Sequence, residues 1–268
     1  MRDRRIVRAG RVNVRSAVRG ETPATFPAET FMKILLFSCF ALAASIADAA
    51  SDPSTPAPFS GEYVASRNGE SLGRTTLELR DNHDGTWTLR SETRGTEGLA
   101  KLAGVHIVET SHFRWRDGRP EAIDYDYKQD SAVKQRTRHA VFKGDQAEVE
   151  EGGETFKYAI VPGLIDRHAV TLAIASDLKR SAKTFDYKVA VKDHVEDMRY
   201  VRGASEKRNV PAGEFDAVLV SRDGEPGEDR KRVARSWFAP SLGWMPVEIE
   251  QNEKKGDTVT LRLAAVHK

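Results

Sequence analysis

The chain has 268 residues, with 42 Lys and Arg against 40 Asp and Glu, and a single cysteine. A net charge of +2 lacks the broad basic field that nucleic-acid binding draws on. One thiol excludes an internal disulfide framework and a Cys-based zinc site.

Residues 1–31 are rich in arginine (Arg2, Arg4, Arg5, Arg8, Arg11, Arg15 and Arg19) and show no hydrophobic period. They are expected to be a non-native extension upstream of a true start at Met32. From there Lys33 precedes an apolar run from Ile34 to Ala47, and Ala47-Asp48-Ala49 stands before Ala50. A positive start, a short apolar stretch and an A-x-A site make a signal peptide over 32–49, cleaved after Ala49. The run is shorter than the about 20 residues a membrane helix needs, so no stable transmembrane anchor is expected. Cys39 reads as part of the apolar run rather than as a lipid-attachment site.

Removing 49 residues leaves 219, with 34 basic and 36 acidic side chains, so the exported chain carries about −2. The apparent basicity belongs to the leader, and no nucleic-acid partner is expected. The implied location is the periplasm.

Residues 50–58 (ASDPSTPAP) form a small, polar, Pro-rich tether. A single β-rich domain is expected over 59–268. Leu77 and Leu79 alternate with polar neighbours, the turn Asp81 to Gly85 follows, and Trp87 and Leu89 resume the alternation. The same period recurs at Ile123–Tyr127, Phe156–Ile160, Phe185–Val191, Phe215–Val220 and Val259–Ala265. Two segments break it. Thr96–Ala103 reads as a short helix. Asp166–Arg180 reads as an amphipathic helix with Val170, Ile174 and Leu178 on its stripe and Asp166 as the cap. The fold expected is mainly β: a curved antiparallel sheet, barrel-like, half-barrel or sandwich, with one amphipathic helix that plugs or covers an end.

Near the end, SWFAPSLGWMPV (Ser236–Val247) holds two of the four tryptophans around a Pro–Gly turn and reads first as a hairpin. Alternation puts Trp237 and Met245 on the apolar face, and Phe238 and Trp244 in the opposite phase, exposed at a rim. These four with Trp87 are the candidate ligand-contacting residues. Pro246 points to an edge or irregular strand position.

Several of these stretches together resemble a bacterial envelope family called domain of unknown function 3108. They are Trp237-Phe238-Ala239-Pro240 with Gly243 and Met245–Ile249, Val210-Pro211-Ala212-Gly213-Glu214-Phe215, Phe59–Val64 with Gly69 and Gly73, and Gly163-Leu164-Ile165-Asp166. The resemblance covers most of the exported chain. It implies an exported, β-rich protein and supplies no catalytic residues.

Catalytic and metal-binding constellations are weak. His106 and His112 would stand about 20 Å apart along one strand, too far for one ion. No G-x-S-x-G elbow or phosphate-binding loop is present, and Ser111 and Ser131 have no supporting context. No metal or cofactor is expected. Lys134, Arg136 and Arg138 alternate along a strand and form a candidate stripe for contact with an anionic surface. The expectation is a non-enzymatic carrier or binding module for an apolar or lipid-like ligand. The alternative is an envelope-assembly or structural protein acting through contacts with another envelope protein.

Overall fold

The computed structural model describes residues 57–223, 234–252 and 256–267. The expectations for residues 1–56 lie outside the described residues. In chain order the elements are β1 (Phe59–Arg67), β2 (Glu70–Asp81), β3 (Thr86–Gly95), α1 (Gly98–Leu102), β4 (His106–Arg116) and β5 (Arg119–Asp130). They continue with β6 (Arg136–Lys143), β7 (Gln146–Glu151), β8 (Glu154–Ala159), β9 (Leu164–Asp166), α2 (Val170–Lys179) and β10 (Thr184–Ala190). The last are β11 (Val195–Val210), β12 (Gly213–Arg222), β13 (Ala234–Ala239), β14 (Met245–Asn252) and β15 (Thr258–His267). Every strand expected from alternation is present.

The strands form one 15-stranded sheet in the order β8-β7-β6-β5-β4-β3-β2-β1-β15-β14-β13-β12-β11-β10-β9. Neighbours pair antiparallel except β9 with β10, which run parallel around α2 as crossover. The two outermost strands, β8 and β9, are therefore consecutive in the chain. Only residues 160–163 separate them. Laid flat, fourteen inter-strand gaps would part these edges by about 67 Å. Five Cα steps reach about 19 Å at most. The sheet must curl until its edges approach each other, which gives an open, barrel-like shell.

Side chains close the shell. Ser176 Oγ donates to the Gly118 carbonyl at 2.6 Å, and Arg119 meets Asp177 at 3.0 Å. Tyr158 Oη of the edge strand β8 donates to the Val191 carbonyl at 2.9 Å.

Helix α2 lies inside this shell. Its expected stripe is buried, and burial extends to every residue from Leu172 to Leu178, Ser176 and Asp177 included. Leu172 packs in a cluster with Tyr63, Leu79, Leu89, Phe113 and Leu263. Val170, Ala173 and Ile174 pack in a second cluster with Phe185, Val189, Val218, Val220 and Phe238. A helix buried nearly all round is a plug rather than a surface element. It begins at Val170, four residues later than its expected cap. Asp166 ends β9 instead, and its Oδ1 accepts the backbone N–H groups of His168 at 2.9 Å and Ala169 at 3.0 Å.

The aromatic hairpin needs one correction. Phe238 is fully buried, not exposed at a rim. Period-2 geometry does turn Trp237 and Phe238 to opposite faces, but both faces are covered. Phe238 meets the α2 cluster. Trp237 lies under the folded-over tip of β11, with Arg208 4.2 Å from its ring centre and Nε1 donating to Glu206 at 2.6 Å. Trp244 is half-buried and stands before β14, at φ 69° directly after Gly243 at φ 66°. Strand phase does not apply to it. Pro246 sits where the β13–β14 register shifts.

Phe238→Ala is expected to cost about 3–5 kcal/mol in a urea titration, because a fully buried ring leaves a cavity. Val133→Ala, at a position 86% exposed, is expected to stay within about 0.5 kcal/mol of the parent. Similar losses for the two would contradict the covered-face assignment.

Candidate functional site: a polar groove and a buried seam

On β5–β8 the alternation divides sharply. Tyr125, Ala140 and Val149 turn inward and pack with Tyr127, Phe142, Phe156 and Tyr158. The intervening residues turn to the opposite face, where the register aligns them across strands. Thr110, Asp126, His139, Glu150 and Thr155 form one cross-strand row, with one residue from each of β4 to β8. Val108, Lys128 and Thr137 form the next row, followed by His106 and Asp130. Together with the Gly152-Gly153 turn they line a cavity of about 690 Å³.

Charges in and beside the groove are partly paired. His139 Nδ1 lies 2.8 Å from Asp126 Oδ1, and His106 Nε2 lies 2.9 Å from Glu92 Oε1. The hydrogen bond from Arg90, and after it that from His106, hold the Glu92 carboxyl down at about 2. Lys128, Thr137, Glu150 and Thr155 make no ion pair or side-chain hydrogen bond among the described residues. They are donors and acceptors that the fold itself leaves unused.

A second polar centre lies at the seam where β9 meets β4. Ser111 Oγ donates to Asp166 Oδ1 at 2.7 Å and lies 3.1 Å from His168 Nδ1. Asp166 is 1% exposed, and burial pushes its carboxyl above the usual carboxylate range. Its Oδ2 and the Nε2 of His168 are buried without a hydrogen-bond partner. Ser, His and Asp meet here, but the bonding is not that of a nucleophile and its base. Asp166 Oδ1 is the nearer partner of the hydroxyl and the imidazole the farther one, so the contacts do not follow the serine–histidine–aspartate order of a triad. A neighbouring network ties Asp177 to Arg119, Arg180 and Tyr187. The seam polar groups tie β9 and α2 to β4 and β5.

The candidate ligand residues do not gather in the groove. Trp237, Phe238 and Met245 are buried in the core, Trp87 is partly buried against it, and Trp244 packs on the α2 cluster with Arg202 5.8 Å from its ring centre. The basic stripe is corrected as well. Lys134 is exposed in the turn before β6, but Arg138 is 8% exposed and both arginines converge on Glu151. Burial would raise the Glu151 carboxyl, but the hydrogen bonds from Arg138 and Arg136 outweigh it and hold it low. Arg136 and Arg138 share strand phase with Ala140 and Phe142, and that apolar phase was the sign that their face turns inward. Arg138 itself contributes to the groove lining. The groove row was legible only as wet strand positions. Nothing in the local sequence pattern links Ser111 to Asp166, 55 residues away.

Fold and site define a barrel-like, single-sheet protein with a helix-filled interior and a polar outer groove. The chain belongs to the family described as protein of unknown function DUF3108, whose profile matches residues 62–264. It is also similar in structure to a β-barrel-like protein of domain of unknown function DUF1849 from Brucella abortus, with a TM-score of 0.49 and 10% identity, covering 78% of this chain and 96% of that one. No curated protein matches the sequence. Among the described residues no helix is long and apolar enough to cross a membrane, and no group of three His, Cys, Asp or Glu is placed to hold a metal ion.

The raised carboxyl of Asp166 gives a signed prediction. Folding favours its protonated form, so its contribution is fully present below the ordinary carboxylate value of about 3.9 and is lost as pH rises through the folded value. Asp166→Asn keeps the acceptor oxygen and lacks the charge. Thermal melts of variant and parent from pH 4 to pH 8 should diverge, with the variant gaining as pH rises. Parallel curves would show that the buried carboxyl carries no such cost.

Proposed function

We propose that the protein is an exported, non-enzymatic binding module that holds a polar or amphipathic ligand in the groove across β4–β8. The observation that carries this reading is the cavity of about 690 Å³ whose floor presents uncommitted donors and acceptors in register across five strands. Its size falls within the roughly 300–1,000 Å³ common for small-molecule sites. Val108 and Tyr127 are the only hydrophobic residues in a lining otherwise of charged, hydroxyl, imidazole and glycine residues, so the groove suits a polar ligand or the head of an amphipathic one. A lipid-like ligand fits this reading by its headgroup. A wholly apolar one would have to enter among Trp237, Phe238 and Met245, which the core already uses. The leader at 32–49 supports a periplasmic place of action.

The test is native mass spectrometry of protein purified from the envelope fraction without detergent. Wild-type protein should carry an added mass that is lost on denaturation. Thr137→Trp, an exposed position inside the groove, should lose that mass with an unchanged melting temperature. A bare wild-type polypeptide, or added mass retained by the variant, would contradict the proposal.

A further inference from the structure

We infer that α1 and the β5–β6 turn form an apolar tip that inserts into a lipid surface. The observation is independent of the groove. The largest exposed hydrophobic side chains among the described residues include Leu99, Leu102 and Val133, at 81%, 82% and 86% exposure. They come from two elements that the backbone binds together, since Ala132 N–H donates to the Ala103 carbonyl at 2.8 Å. The tip is held in place from below. Val105 N–H bonds the Ala100 carbonyl at 3.0 Å, and Gly95 N–H bonds the Val105 carbonyl at 2.7 Å. Leu99 and Leu102 are three residues apart and share one helical face, while Ala100 between them is buried.

Scattered single aliphatics on a surface are ordinary, but three on one protrusion are not. Their exposure decides what kind of partner suits them. Side chains more than four-fifths free stand out from the surface instead of bordering a flat patch or pocket. A folded protein partner would need a separate recess for each. A bilayer interface conforms to any such shape and takes aliphatic side chains out of water, which the hydrophobic effect favours.

The flanking charges fit as well. Lys101 sits in α1 and Lys134 follows Val133, both exposed and neither in an ion pair among the described residues. Their stems can lie along the apolar layer with the ammonium groups at phosphate level. Glu97 and Asp130 offset them, so apolar insertion dominates and the contact does not depend on anionic lipid. The last rung of the β4–β5 ladder, His106 with Asp130, lines the groove and directly adjoins this tip. Insertion would set the groove mouth at the membrane surface.

The experiment is co-sedimentation with phosphatidylcholine vesicles, repeated at low and high salt. Wild-type protein should sediment with little change on adding salt. Each of Leu99→Asp, Leu102→Asp and Val133→Asp should lower the partition coefficient about tenfold or more, and the triple variant should stay in the supernatant with its melting temperature intact. Vesicle binding is read on protein stripped of any bound mass, and bound mass is read without vesicles, so failure of the groove proposal and failure of this one are told apart. Wild-type protein that ignores vesicles, or tip variants that sediment unchanged, would overturn the inference. Capture of a protein partner through the same three residues, without vesicle binding, would replace it with protein docking.

Discussion

Four residues, 160–163, join the two outer edges of a 15-stranded sheet. No flat or gently twisted sheet of that width can satisfy so short a link, so the chain is committed to curling before any side chain is considered. The other end of the meander imposes the complementary condition. β1 and β15, the first and last strands in the chain, pair along most of their length at the middle of the sheet. The two runs, β1 to β8 and β15 back to β9, spread from that seam and meet at the far side. Near the β8 edge Tyr158 bonds the Val191 carbonyl, and farther in polar side chains tie β4, β5 and the turn between them to β9 and α2: Ser111 with Asp166, Arg119 with Asp177, and Ser176 with the Gly118 carbonyl.

Curling creates an interior, and the crossover from β9 to β10 fills it. Because those two strands are parallel, the connection between them must be long and must pass across one face. The curled shell leaves α2 only the inside. Its small residues, Ala173, Ala175 and Ser176, let the backbone sit among the strands, while Leu172, Ile174 and Leu178 meet the two clusters. An interior so occupied takes Trp237, Phe238 and Met245 into its packing and leaves other surfaces that the core does not use. The outer faces of β4–β8 are such a surface, because the inward residues there are satisfied by their own small core.

Much of this architecture was legible from alternation alone, since every wet–dry segment became a strand and the glycine-bearing turns fell between them. Alternation states that two phases exist and does not say which phase is covered. At β13 both are, which is why Phe238 was misplaced. At β6 the phase carrying Arg136 and Arg138 also carries Ala140 and Phe142, and the apolar pair decided the direction. Asp166 illustrates a different limit. Its type predicted a helix cap, and its oxygen does accept two backbone N–H groups, but β9 needed it as the final strand residue. The groove and the seam both depend on strand register and closure, neither of which a local pattern encodes.

Closure is the claim on which interior, groove and seam all rest, and a distance across the gap tests it most directly. With Cys39→Ser removing the native thiol, spin labels would be placed at Glu154→Cys and Lys192→Cys, whose parent side chains lie 3.3 Å apart as an ion pair. Pulsed electron resonance should report a single narrow distribution within about 20 Å, set by label length around that contact. An uncurled sheet would place β8 and β10 about 62 Å apart. A distribution centred far beyond 20 Å would contradict the account.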